Sequence, residues 1–253
     1  MPAWFIWMGG ASSGDPTAAN NAGNWFTNAT DHNLPQPGDD LVWLARPNMQ
    51  PGDSEGGGSP GFGQLYNCIG FSGGPYNSMV IPDFYAATIT FSNNVQTGDF
   101  RLGGPIPSNL PSGFNAGDPG GASGTIDQQG SDLTSTGFFQ FLKGTLHTPG
   151  TTATEHIRGS GLIAPENEGG VTTAANYSIE NAAVLTMKAG TVTVTSNDQE
   201  FDVNDGCGMA VDPANAQSAN VVTSPGLTLT TKVNVQPGAW LEVRSGTYHT
   251  KLQ

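Results

Sequence analysis

The chain has 253 residues, eight of them Lys or Arg and 21 Asp or Glu, for a formal net charge of −13. Glycine (36), proline (18), Thr (26), Asn (20) and Ser (18) supply 118 residues, nearly half the chain. Four Lys and four Arg are too few for a helical bundle or coiled coil, and their scatter among 21 carboxylates excludes the clustered positive charge of a nucleic-acid interface. No apolar run approaches the roughly 18 to 20 residues of a membrane-spanning helix. Short alternating apolar segments argue against disorder. What remains is an all-β, turn-rich, acidic protein.

Residues 1–45 read as an N-terminal capping module. Trp4-Phe5-Ile6-Trp7 is an apolar opening, and a Gly- and Asn-rich loop leads to Asn24-Trp25-Phe26. Pro35-Gln36-Pro37-Gly38-Asp39-Asp40 is a turn, because proline presets φ while glycine and Asp tolerate turn geometry. Leu41-Val42-Trp43-Leu44 reads as a buried strand. The opening lacks the basic start and longer apolar run of a secretory signal: no cation precedes Arg46, and the run stops at Met8.

Residues 46–137 read as a loop-rich β region. Pro51 to Gly63 is expected to be an exposed excursion, and residues 46–80 as a whole look loop-rich. Strand signal returns at Met79-Val80-Ile81 and Ala87-Thr88-Ile89-Thr90-Phe91, the latter closed by an Asn93-Asn94 turn. Residues 103–137 are Gly/Pro-rich, with Ile106, Leu110 and Ile126 as isolated apolar anchors. Residues 138–253 read as regular β-solenoid coils: Phe138 to Leu142, Val184 to Thr195, Leu227 to Val235 and Ala239 to Tyr248 are strand-like, several alternating apolar residues with Thr. Cys68 and Cys207 stand outside any CxxC or CxxH spacing, which suggests two buried free thiols, with one long-range disulfide as the alternative, rather than a zinc site or disulfide framework.

An internal repeat decides the architecture. AVLTMKAGTVTV (183–194) aligns without gaps on AWLEVRSGTYHT (239–250), and FQFLKGTLHT (139–148) is a weaker third copy. Lys143-Gly144-Thr145, Lys188 with Gly190-Thr191, and Arg244 with Gly246-Thr247 recur as a cation followed by a Gly-Thr turn. The glycines are spaced by 46 and 56 residues. Solenoid coils take roughly 20 to 30 residues, so each spacing holds two. Stacking such units buries faces that none could bury alone. The reading is a right-handed parallel β-helix with loop-rich insertions. A β-sandwich is the alternative, though its hairpins favour Asn-Gly or Asp-Gly turns.

The N-terminal pattern Trp7-Met8-Gly9-Gly10, Asn24-Trp25 and Pro37-Gly38-Asp39-Asp40-Leu41-Val42 resembles a module that opens bacterial and bacteriophage parallel β-helix proteins. These include autotransporter-like passengers, planctomycete-type surface proteins and phage structural proteins. Gly238 to Thr247 is similar to their repeating rungs. The resemblance implies that Trp7, Trp25 and Trp43, with the Gly38-Asp39 turn, cap the open end of the first coil. A sugar-stacking platform is the other role open to those indoles.

Little here points to catalysis. The carboxylate pairs Asp39/Asp40, Glu166/Glu168 and Asp202/Asp205 read as turns or solvated loops, and the four His residues are dispersed. The acidic stretch Asp198 to Gly206 lacks the spacing of a calcium loop. No catalytic, cofactor-binding or metal-binding residue is therefore expected, and no cofactor. The expected role is a non-enzymatic, self-associating component of a large virion or cell-surface assembly, as a homo-oligomer or with other structural proteins. It involves neither nucleic acid nor membrane insertion. A glycan-binding or glycan-degrading β-helix is the alternative. The absence of a signal sequence favours the virion.

Overall fold

The computed structural model describes residues 3–10, 14–44, 66–82, 85–104, 107, 108, 110, 124–147, 153–163, 171–173, 175–187, 192–194, 200–203, 207–211, 232–235 and 240–243. Within them the protein is all-β, with one large and mostly parallel sheet. Its only helical element among the described residues is a 3-10 turn, Ala22–Asn24. Among the described residues no helix is long and apolar enough to cross a membrane.

The first strands are β1 (Trp4–Trp7), β2 (Trp25–Thr27), β3 (Asp40–Trp43), β4 (Cys68–Ile81) and β5 (Thr88–Leu102). Next come β6 (Thr125–Asp127), β7 (Leu133–Ser135), β8 (Phe138–Phe141), β9 (Gly144–His147), β10 (Thr154–Ile157), β11 (Ser160–Ile163) and β12 (Val171–Thr173). The last are β13 (Asn176–Ile179), β14 (Val184–Met187), β15 (Val192–Val194), β16 (Glu200–Val203), β17 (Gly208–Val211), β18 (Lys232–Val235) and β19 (Trp240–Val243).

Parallel pairing arranges these strands in three columns. One column passes in register through Cys68, Ile89, Ile126, Leu146, Thr173 and Val194. A second passes through Val95, Leu133, Glu155, Tyr177, Phe201 and Val233. The third passes through Phe5, Leu41, Met79, Phe100, Phe139, Gly161, Leu185, Met209 and Leu241. Strand alternation sends every second side chain inward. One contiguous apolar cluster joins the inward faces, with Ile89, Ile126 and Leu146 from the first column, Leu133, Ile157 and Tyr177 from the second, and Phe100, Phe139 and Leu185 from the third.

The third column explains the repeat. Phe139, Gly161 and Leu185 are successive partners, as are Leu185, Met209 and Leu241. Each repeat spacing therefore equals two steps of the register. The likeness does not carry across the corner that follows. Gly144 pairs with Val171, and Val171 with Val192, so Gly144 stands level with position 192 and not with Gly190. Lys188, Gly190, Thr191, Arg244, Gly246 and Thr247 lie outside the described residues.

Three expectations need correction. The strand signal does not wait for Met79: β4 starts at Cys68, and the glycine-rich Phe71 to Asn77 stretch stays in the sheet through register shifts. Nor does Asn93-Asn94 end a strand; β5 runs past it to Leu102 and feeds all three columns. Leu110 is no isolated anchor. It packs with Trp4, Met8 and Val80 around buried Ile6, Val42 and Leu44, a second small core outside the main one.

The corner between the second and third columns is built from glycine. Gly98, Gly137 and Gly159 occupy it in successive rows. The Gly137 N–H donates to Gly98 O (2.7 Å), and the Ser160 N–H donates to Gly137 O (3.0 Å). A Cβ on Gly159 would lie 1.8 Å from Gly137 O, and one on Gly98 would lie 2.5 Å from Asn77 O. Backbone passes directly over backbone here, and only glycine leaves the room.

Candidate functional site

The N-terminal end has the most built-up polar and aromatic architecture. Strand β2 pairs antiparallel with β1, whereas β1 pairs parallel with β3. The terminal edge of the third column is thereby covered by a short strand of opposite direction. Trp25 from β2 wedges edge-on between Trp7 and Trp43, with ring centroids 5.1 and 5.8 Å away. Phe71 meets Trp43 at 5.2 Å. Each such edge-to-face pair contributes about 1 kcal/mol beyond area burial. The indole N–H of Trp25 donates to Ala19 O (2.8 Å), and that of Trp7 donates to Tyr66 O (3.2 Å).

The neighbours of these indoles have definite tasks. Asn24 Nδ2 donates to the carbonyls of Asp15 (2.9 Å) and Ala18 (3.0 Å), while Asn24 O accepts from the Met8 and Gly9 N–H groups. One buried residue, by side chain and backbone together, thus ties the 15–18 loop to the first row. Gly9 sits at φ +62°, where a Cβ would meet the Tyr66 side chain at 2.3 Å. Burial pushes the thiol of Cys68 well up, with the Trp43 indole beside it working weakly the other way. Cys68 and Cys207 are both buried and unbridged.

The Pro37–Asp40 turn ends in two buried carboxylates used separately. Gly38 takes φ +91°. The Asp39 N–H donates to Gln36 O (3.2 Å), and the Gln36 N–H donates back to Asp39 Oδ2 (2.8 Å). Asp39 Oδ2 also receives His32 Nε2 (2.8 Å). Asp40 Oδ1 accepts from Asn77 Nδ2 (2.7 Å) and Ser78 Oγ (2.6 Å) on β4. The two Asp side chains therefore do not act as a pair. The other ring nitrogen of His32, Nδ1, lies 2.7 Å from Asp31 Oδ1, and the ring stacks on Phe5 at 5.1 Å. The hydrogen bond with Asp39 raises the imidazole above its ordinary 6.5; burial opposes this and Asp31 adds to it. Asp39→Asn is expected to lower the unfolding free energy by about 1 kcal/mol, since an amide keeps one acceptor but not its charge. Denaturant unfolding at neutral pH measures it.

A second polar group lies on the outer face of the second column. His156 Nδ1 contacts Glu180 Oε1 (2.5 Å), its Nε2 is 3.6 Å from Asp132 Oδ2, and Arg158 Nε donates to Glu180 Oε2 (2.8 Å). Burial works against the Glu180 charge, but hydrogen bonds from His156, Arg158 and Ser178 outweigh it and hold the carboxyl below its usual range. The imidazole lies between the Asp132 and Glu180 carboxylates. The three side chains come from successive rows, so the group braces the column along its length.

Glu155, next to His156, points the other way. It is wholly buried between Leu133 and Tyr177, and neither carboxyl oxygen has a hydrogen-bond partner. Burial raises its pKa well above the ordinary 4.5; the Gln128 side chain, close but outside hydrogen-bond geometry, offsets part of this and Asp132 adds to it. Tyr177 OH donates to Thr173 Oγ1 (3.1 Å) and is itself held protonated by burial. Tyr177→Phe is expected to cost about 1 kcal/mol, because Thr173 Oγ1 loses that donor. Thermal unfolding of the variant checks it.

Of the residues singled out from sequence, Trp7, Trp25, Trp43, Gly38 and Asp39 come together at the N-terminal end. Lys143, Gly144 and Thr145 do not join them. Lys143 is buried at the corner before β9, Gly144 at φ +123° approaches Gly124 O, and Thr145 pairs with Thr125 and Thr172. Glu166, Glu168 and Asp205 lie outside the described residues. The roles of His32, the His156 group and Glu155 were not anticipated, and Asn24 was legible only as part of the Asn24-Trp25 pattern. For Glu155 a signal existed: Thr154-Glu155-His156-Ile157 alternates, which puts Glu155 on the side of Ile157. Among the described residues, no three His, Cys, Asp or Glu side chains converge as metal ligands. Comparisons with protein-family models, curated proteins and solved structures find no match.

Proposed function

We propose that the chain is a right-handed parallel β-solenoid whose work is structural: a self-associating component of a large assembly, either a virion or a cell surface. The observation that carries this reading is the use made of the charged side chains. His32, Asp31 and Asp39 tie down the N-terminal end, His156, Glu180 and Arg158 brace the outer face, and Glu155 is in the core. Among the described residues, the paired groups of both clusters are occupied in holding the structure together, and Glu155 is shut away from solvent. The three columns and their continuous inward face support the solenoid, and the antiparallel β2 with its indole wedge supports a cap at one end. The negative charge would keep assembled particles soluble and apart.

Light scattering and electron microscopy of the purified chain test this. Particles or filaments of fixed symmetry are expected, and a strictly monomeric protein at about 100 µM, well above ordinary assembly affinities, would overturn self-association. The glycan-degrading alternative draws on Asp132 and Glu180, carboxylates on one outer column, but His156 lies between them. Turnover of a host polysaccharide that Glu180→Gln abolishes would favour the enzyme and sink the structural reading.

A further inference from the structure

We propose that His32 is a pH-operated latch on the N-terminal end: as an imidazolium it clasps the 31–39 loop closed with its ring against Phe5 of the first row, and on losing its proton it loosens that loop. The argument starts from donor count. A neutral imidazole carries one N–H and one lone pair, whereas the imidazolium carries two N–H donors. Both ring nitrogens of His32 face carboxylate oxygens, Nδ1 at 2.7 Å from Asp31 and Nε2 at 2.8 Å from Asp39. Only the cation satisfies both. Deprotonation turns a lone pair toward one carboxylate, so an attraction becomes a repulsion at under 3 Å.

The groups around His32 leave the proton as the controlling variable. From its own segment come Asp31, mostly exposed, and Asp39, buried. From β1 comes the uncharged ring of Phe5, stacked at 5.1 Å. From β4 comes Tyr76, which senses Asp39; burial first and that carboxylate next push its hydroxyl up to about 12, so it stays neutral while His32 titrates. Asp40 is engaged by Asn77 and Ser78. The sign follows. The folded-state value of His32 is raised above 6.5, so the latch is fully set below 6.5 and is lost as pH rises through the raised value.

The loop it clasps and the residues just before it cover part of the core. Asn28 Oδ1 accepts from the Trp4 N–H (2.7 Å), and Ala29 and Leu34 pack against the buried cluster. Phe5 lies against Trp25 as well as His32, with ring centroids 6.3 Å apart. Release of the latch would therefore reach the indoles.

The test is a titration of the full chain from about pH 5 to about pH 9, spanning the range of histidine switches. Imidazole NMR signals and tryptophan emission are followed together. The His32 signal is expected to titrate above 6.5, with the emission moving at the same midpoint, and His32→Gln removes both changes. Asp31→Asn, at an exposed side chain that leaves the core intact, lowers that midpoint by about half a unit or more. The assignment survives even if His32→Gln fails to fold, because the signal that moves in Asp31→Asn is His32. A His32 midpoint at or below 6.5, emission that does not follow it, or no response to Asp31→Asn overturns the latch.

Discussion

Glu155→Leu makes the protein more stable, by about 2 kcal/mol at pH 7, which denaturant unfolding measures directly. A buried polar group without hydrogen bonds costs about 1 to 3 kcal/mol in proteins, and neither carboxyl oxygen of Glu155 has a partner. Leucine has a similar volume and suits neighbours such as Leu133 and Tyr177. The pH profile separates this account from simple packing. The folded-state value of Glu155 lies well above 4.5, so between the two values the folded chain holds a proton that the unfolded chain has lost. Stability is then full below 4.5 and falls by about 1.4 kcal/mol per pH unit as pH rises toward the folded value. Glu155→Gln mimics the protonated acid. It should match the wild type near pH 4 and exceed it above pH 6, if about 1.4 kcal/mol per unit is the slope removed. Identical wild-type and Glu155→Gln profiles would sink the account.

Gly159→Ala is expected to cost about 3 kcal/mol, the upper range for forcing one methyl into packed surroundings. The added carbon would sit 1.8 Å from the carbonyl oxygen of Gly137. That obstacle is backbone, part of the hydrogen-bonded file that runs from Gly98 to Ser160, so no side chain can swing aside. Gly38→Ala is the contrast. Nothing lies within 4 Å of its added carbon, and only φ +91° resists. About 1 kcal/mol is expected there. Equal losses at the two positions, in chemical or thermal unfolding, would show that conformational freedom and not close approach governs the corner.

The parts of the fold legible in the sequence were those with a period. Phe139 and Leu185 share a register because inward positions must be apolar, and that constraint shows as a repeat. Trp7, Trp25 and Trp43 were legible as a group through the resemblance of the N-terminal pattern, and their edge-to-face contacts give that grouping a physical basis. The long strands were not. Phe71 to Asn77 has the composition of a loop, yet neighbouring strands hold it in the sheet, and tertiary pairing overrides weak local preference. Gly98, Gly137 and Gly159 were invisible for another reason. Among 36 glycines, only the register reveals which three lie on top of one another. His32 was hidden because its partner Asp39 is seven residues away, a distance fixed by the turn and not by any helix or strand period.

The third column has one more consequence. Between rows, the chain from Phe5 to Leu41, Leu41 to Met79 and Phe100 to Phe139 is roughly two-thirds longer than the chain from Phe139 to Gly161 or Gly161 to Leu185. Closing the longer connections costs only about 0.5 kcal/mol more each, because closure entropy grows with the logarithm of length. A single indole contact of the N-terminal wedge covers that difference. Unlike the glycine corner, these longer connections are therefore places where sequence can be added or removed at little entropic cost while the rows keep their alignment, so new features can be tried on a frame that does not change.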